Sequence, residues 1–137
     1  MANSIRKVDY FYTRVPNRAG QAAKILAGLA AAGVDLVAFS GFPSGKGSQL
    51  DFVPVDSAKL RRAAKKLDLA LSKRKTGFLV QGDDRVGALT RITSALAVAR
   101  INITAIDAVT AGKGRYGAIF WVKPQSVAKA ARLLGAR

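Results

Sequence analysis

From Val8 to Thr13 the chain is rich in aromatic and β-branched residues, a composition that predicts a strand. Val15-Pro16-Asn17-Arg18 breaks the run. Ala22, Ile25, Leu26, Leu29 and Ala30 then recur at helical spacing, and Gly33 stands where a helix C-terminus wants a glycine. Val34, Leu36 and Ala38 alternate with Asp35, Val37 and Phe39, which predicts a second strand. Pro43-Ser44-Gly45-Lys46-Gly47 reads as a turn, and Gln49 to Val55 as a third strand. A stripe at Leu60, Ala63, Ala64, Leu67 and Leu71 predicts a second helix, capped by Asp56 or Ser57. Ser72-Lys73-Arg74-Lys75 is a short basic connector.

The order then starts again. Gly77 to Gly82 predicts a strand, and Leu89, Ile92, Leu96 and Ala99 mark a helix that Asp84 precedes. Ile101, Ile103 and Ala105 alternate with Asn102, Thr104 and Ile106. Ala111-Gly112-Lys113-Gly114 is a turn, Tyr116 to Val122 a strand, and Pro124 suits the first turn of a last helix carrying Val127, Ala128, Ala131 and Leu134. Asn17 matches Asp84, Gly20 matches Gly87 and Asp35 matches Asn102, each pair 67 positions apart (84 less 17, 87 less 20, 102 less 35). A fixed internal period names the structural unit, here about half the chain. Gly45-Lys46-Gly47 has the look of a phosphate loop, but its recurrence at 112–114 and the strand that follows it say hairpin turn.

Each half thus reads β-α-β-β-α, one strand short of the βαββαβ ferredoxin-like unit. The missing strand has several sources: a neighbouring extended stretch lent to the other half, Gly77 to Gly82 serving both sheets, or a very short segment such as Lys73 to Gly77. An incomplete sheet exposes an edge that wants a partner, so exchange of edge strands between halves or between chains stays open. Val37, Phe39, Ile106 and Trp121 are expected on sheet faces without helix cover, where they would favour self-association.

The repeated phrase resembles the ACT domain. It is strongest in Asp84-Arg85-Val86-Gly87-Ala88-Leu89 with Ile101-Asn102-Ile103, and looser in Asn17-Arg18-Ala19-Gly20 with Val34-Asp35-Leu36. The family often has Pro before the glycine, where this chain has Ala19 and Val86. The resemblance implies an α+β protein of two tandem ferredoxin-like modules, residues 1–74 and 75–137, with antiparallel sheets and helices on one face. It also implies a regulatory module that binds an amino acid or related metabolite, through the turn after the first strand and the start of the second. Those contacts carry over onto Asn17, Arg18, Ala19, Gly20 and Asp35 in one half. In the other they fall on Asp84, Arg85, Val86, Gly87, Ala88 and Asn102. The chemistry is consistent: free amides at a helix N-terminus suit a carboxylate, a glycine admits close approach, and Asp or Asn can accept from an α-ammonium group. Taken singly, Asn17 and Asp84 also read as plain N-caps, the glycines as packing sites, and Asp35 and Asn102 as solvated residues.

Composition narrows the chemistry. The 137 residues are half apolar, enough for a core, and include no Cys, no His and no Glu. Disulfides, thiol chemistry, the commonest metal ligands and the usual general base are therefore missing, which is a poor inventory for an enzyme. No catalytic residue, metal or cofactor is expected. The 23 Lys and Arg against 8 acids give a net charge of +15, a field that attracts polyanions. Lys59, Arg61, Arg62, Lys65, Lys66, Lys73, Arg74 and Lys75 concentrate it. The alternative function is accordingly a basic nucleic-acid-binding protein using residues 59–75, though the patch lacks the interleaved aromatics of single-strand binders. No segment has the roughly eighteen consecutive apolar residues of a membrane span, and Met1 to Lys7 lacks the apolar core of a secretory signal. The expectation is a cytoplasmic homodimer that acts on a regulated enzyme or other macromolecule.

Overall fold

The computed structural model describes residues 3–137; Met1 and Ala2, which the expected first module includes, lie outside the described residues. The order of elements is β1 (Ser4–Pro16), α1 (Gln21–Ala31), β2 (Leu36–Ser44), β3 (Gly47–Pro54), α2 (Ser57–Lys66), β4 (Lys75–Asp83), α3 (Thr90–Val98), β5 (Ile103–Gly112), β6 (Arg115–Val122), a 3-10 turn (Pro124–Ser126) and α4 (Val127–Leu134). The class is α+β, with six strands and four α-helices among the described residues.

Two compact units result: Asp9–Lys75, and Thr76–Arg137 together with the residues up to Val8. In the first unit β3 lies between β2 and β1, antiparallel to both, with Phe52 opposite Phe11 on one side and Phe39 on the other. Phe11, Leu50 and Phe52 form its core with Leu29 of α1 and Leu60 and Ala63 of α2. Leu60 and Ala63 recur on one side of α2, so the helix buries that stripe and leaves Lys59, Arg61, Arg62, Lys65 and Lys66 exposed. Asp56 is the N-cap of α2, accepting from the Lys59 amide at 3.1 Å. The chain after α2 supplies the fourth extended segment of this unit. Ser72 N–H donates to Tyr12 O at 2.8 Å, Tyr12 N–H donates to Ser72 Oγ at 2.9 Å, and Thr13 Oγ1 donates to Ala70 O at 2.7 Å.

In the second unit β6 lies between β4 and β5, antiparallel to both. Phe78 of β4 and Phe120 of β6 stack at 5.0 Å, and with Val80, Tyr116, Ala118 and Val122 they meet Ile92 and Leu96 of α3 and Ala130 and Ala131 of α4. The missing strand comes from the chain's start: residues Ser4–Val8 of β1 belong to this unit, and Lys7 N–H donates to Arg137 O at 3.0 Å.

The 67-residue period is written into the backbone. Left-handed residues occur as pairs at that offset: Gly20 and Gly87, Gly33 and Arg100, Gly45 and Gly112, Asp68 and Gly135. All four helices end alike. Val34, Leu69, Ile101 and Ala136 each return an amide hydrogen bond of 2.8–2.9 Å to the carbonyl five residues earlier, across a left-handed residue. This is the Schellman ending, and it satisfies carbonyls a helix would otherwise leave bare.

Three expectations need correction. Asn17 and Asp84 are not N-caps. Helix α1 starts at Gln21 after a left-handed Gly20, and α3 starts at Thr90, six residues past Asp84; neither takes a side-chain cap. The proline or glycine in each turn spends extra residues before the helix can begin. Phe39 and Ile106 do not lie on the helix-free faces, because the register puts them opposite the core residues Phe52 and Phe120. Val37 falls in an irregularity between Leu36 and Ala38.

Candidate functional site

The turn after β4 is fixed at both ends. Asp84 N–H donates to Gly114 O at 2.8 Å, tying the turn to the β5–β6 hairpin, and Arg115 Nη1 reaches Asp83 Oδ1 at 2.7 Å. Within the turn, Ala88 N–H donates to Arg85 O and Thr90 N–H donates to Gly87 O, which closes the loop onto the start of α3. Gly87 has a φ of +73°, and a Cβ there would sit 3.3 Å from Thr90 Oγ1, so the position favours glycine on both grounds. Among the described residues the backbone N–H groups of Arg91 and Ile92, in the first turn of α3, donate to no protein acceptor. They are the free donors and positive dipole end that a helix N-terminus offers an anion.

Beside this turn lies an open cavity of about 400 Å³. Asp84, Gly87, Ala88 and Leu89 line it from the turn, Thr90 and Thr93 from α3, Ala108, Val109 and Thr110 from β5, and Tyr116 from β6. Tyr116 is 6 % exposed, and its hydroxyl is buried with no hydrogen-bond partner among the described residues. Burial pushes its phenol above the ordinary value, against the lowering pull of the Arg115 and Arg85 charges. A buried hydroxyl without a partner is a standing penalty, and a group that supplied the partner would be bound the more tightly for it. The Tyr116 ring owes its place to the register. It stands opposite Gly82 on β4, where a Cβ would come within 3.0 Å of the ring.

A second cavity, of about 450 Å³, opens at the other end of α3 between Thr93, Ala97, Arg100, Ile101, Asn102 and Ile103. Thr93 lines both. Arg100 holds φ at +59°, a conformation that favours glycine, where its counterpart in the first half is Gly33.

The residues expected at the site therefore separate. Asp84, Gly87 and Ala88 line the first cavity, and Asn102 lines the second. Arg85 and Val86 line neither, and the Val86 side chain is wholly exposed at the tip of the turn. In the first half, Asn17, Arg18, Ala19, Gly20 and Asp35 are all exposed. Asn17 Oδ1 accepts from Ser48 Oγ at 3.0 Å, Arg18 N–H donates to Pro16 O, and Asp35 O accepts from Val55 N–H at 3.0 Å. Sequence reasoning missed Tyr116, Thr90, Thr93, Thr110 and Arg100. Thr90 and Thr93 are one helical turn apart, a spacing that could have drawn attention to them. Nothing in the sequence pairs Tyr116 with the turn. No three carboxylates or other metal-ligating side chains come together among the described residues, and no helix among them is long and apolar enough to cross a membrane.

No protein-family model matches the chain, and no curated protein matches it. Solved structures do. A protein of Bacteroides thetaiotaomicron is 15% identical with a TM-score of 0.78, covering 97% of this chain and 88% of its own. The ligand-free regulatory subunit of aspartate kinase from Thermus thermophilus is 16% identical with a TM-score of 0.63, covering 98% and 96%. The Thermus flavus regulatory subunit is 21% identical with a TM-score of 0.59, covering 98% and 94%. At these identities the likeness is one of fold, and that fold is the one seen in regulatory subunits of aspartate kinase.

Proposed function

We propose that this chain is a regulatory module without a catalytic centre, built of two ACT-type units that repeat along the sequence as 1–74 and 75–137 but exchange the stretch up to Val8, and that it binds an amino acid or a close relative. The observation that carries the reading is the cavity lined together by Asp84, Gly87, the start of α3 and Tyr116, a residue whose buried hydroxyl has no partner among the described residues. Asp84 accepts from the ligand's α-ammonium. The free amides of α3 take its carboxylate, which Gly87 lets come close to the backbone. Tyr116, Thr90, Thr93 and Thr110 line the part of the cavity left for the remainder of the ligand, with Ala88, Leu89, Ala108 and Val109 as apolar wall. Asn102 and Arg100 extend the site along α3.

The two halves are unequal in this reading. The turn Asn17-Arg18-Ala19-Gly20, with Asp35, is a second and weaker site, because the Asn17 carbonyl is already engaged by Ser48. The regulated enzyme or other target is engaged by a cytoplasmic homodimer, and ligand binding changes that engagement through the differential affinity on which any allosteric coupling rests.

The test is thermal unfolding with each of the twenty amino acids in excess. A ligand at about a hundred times its dissociation constant adds roughly 2.7 kcal/mol of stability. One or two selective hits, abolished by Asp84→Ala and weakened by Asn102→Ala, are expected. A flat panel overturns the proposal.

A further inference from the structure

The fold uses one side of α2 and leaves the other to charge. Lys59, Arg61, Arg62, Lys65 and Lys66 occupy half of a ten-residue helix, and all five are exposed. None forms an ion pair or side-chain hydrogen bond among the described residues; the Arg61 guanidinium lies 5.2 Å over the Phe11 ring. The acids nearest in sequence, Asp56 and Asp68, stand at the two ends, and Asp56 is engaged as the N-cap. Helix α1, packed beside α2 within this unit, carries no acid and one cation, Lys24, and presents Ala23, Ala27, Ala30 and Ala31 outward.

The internal repeat supplies the comparison that decides whether the fold needs this charge. At the 67-residue offset Leu60, Ala63 and Ala64, the buried residues of α2, become Val127, Ala130 and Ala131 of α4, the same pattern serving the same packing. Arg62 and Lys65 become Lys129 and Arg132, so two cations are shared. Lys59, Arg61 and Lys66 become Ser126, Ala128 and Leu133. Helix α4 packs with two cations where α2 has five. Of the three additional charges Arg61 lies on the Phe11 ring, while Lys59 and Lys66 have no such contact; together the five cations set like charges at i, i+3 and i, i+4 (Lys59 with Arg62, Arg61 with Lys65, Arg62 with Lys66) where a structural helix would interleave acids.

We propose that the outer face of α2 is a binding surface for the phosphate backbone of double-stranded nucleic acid. At 1.5 Å rise per residue, Lys59 to Lys66 spans about 10 Å, a length over which one duplex strand presents roughly three phosphates. A membrane surface is disfavoured because the apolar stripe of α2 is buried in the core and has nothing to insert. Single strands are disfavoured because α2 carries no aromatic side chain for bases to stack on. The surface reads charge and spacing, so recognition is independent of sequence.

The experiment is fluorescence anisotropy of the full chain with a short labelled DNA duplex across a KCl series. About three neutralised phosphates predict a loss of affinity of about fortyfold between 50 and 200 mM salt. The variant Lys59→Gln/Arg62→Gln/Lys65→Gln/Lys66→Gln, which spares Arg61 on Phe11, is expected to lose most of that binding and flatten the salt slope. Replacing Arg6, Lys113, Lys123 and Arg132 by Gln removes the same charge elsewhere and leaves most of the binding intact. The milder Lys65→Gln/Lys66→Gln pair keeps the test open if the fourfold variant unfolds, and Lys→Arg at 59, 65 and 66 restores binding. Equal loss in both fourfold variants would mean a diffuse field and no surface. That result, absence of binding at 50 mM salt, or tighter binding to an acidic polypeptide than to the duplex would each overturn the proposal.

Discussion

Replacing Tyr116 by Phe removes one oxygen atom from a site where it has no partner. The ring stays, stacked into the β6 register opposite Gly82. An unsatisfied buried hydroxyl costs about 1–3 kcal/mol. The vacancy left by one oxygen offsets this by a few tenths of a kcal/mol at about 24 cal/mol per Å³. Tyr116→Phe is therefore expected to stabilise the ligand-free protein by about 1–2 kcal/mol. At about 2.1 cal/mol/K per residue the unfolding entropy of 137 residues is roughly 0.29 kcal/mol/K, so each kcal/mol raises Tm by about 3.5 °C. The shift roughly doubles if the second unit unfolds by itself, since it holds about half the chain. Differential scanning calorimetry at neutral pH measures it directly. An unchanged or lowered Tm would refute the reasoning, since it would mean that the hydroxyl is satisfied in the free protein. The same variant should bind any ligand found in the amino-acid panel more weakly, so stability and affinity are expected to move in opposite directions.

Arg100→Gly should raise stability by about 0.5–1 kcal/mol in urea unfolding, because a left-handed backbone is strained for arginine and its counterpart is already glycine. Gly47→Ala should destabilise by about 1–3 kcal/mol, since a Cβ would lie 2.5 Å from the Val15 carbonyl oxygen at the end of the β1–β3 ladder, where only backbone could yield. Asp51 is 6 % exposed; burial pushes its carboxyl above the ordinary 3.8, opposed by the Gln49 hydrogen bond at 2.9 Å and by the Lys75 charge. A raised folded value means that its contribution to stability is full below about pH 4 and lost as pH rises through the folded value. Asp51→Asn should flatten that acid limb and stabilise the protein at neutral pH, as read by denaturant midpoints across pH. Desolvation, then the Asp51 and Tyr12 charges, push the Tyr10 phenol up to about 12, and spectrophotometric titration of the same variant should show it falling.

The elements were legible because their periods are strong. Leu60, Ala63 and Ala64 of the α2 stripe, the two Gly-Lys-Gly turns and the 67-residue offset reappear as burial, hairpins and paired left-handed residues, while Leu67, one residue past the helix, is exposed. Helix starts were less legible. Asn17 and Asp84 have the chemistry of N-caps, but Gly20 and Gly87 each demand a left-handed step first, and local side-chain preference yields to that geometry. The source of the segment that completes each unit was hidden for a different reason. Alternation along a strand tells which residues face a core but not which neighbour takes the backbone hydrogen bonds. The cavity wall at Tyr116 needed the Gly82 register, a long-range pairing that no local window contains.

The placing of Ser4–Val8 with Thr76–Arg137 has a kinetic consequence. The bond from Lys7 to Arg137 joins residues 130 apart, so Ser4–Val8 find their place only once the far end of the same unit is at hand. Closing so long a loop before any contact rewards it slows folding, and until then the edge of β4 waits unpaired. Rewiring the chain removes the delay. A circular permutant that links Arg137 to the original start and opens between Lys75 and Thr76 makes each unit contiguous in sequence, and it should refold faster than the natural order while keeping the same pairings.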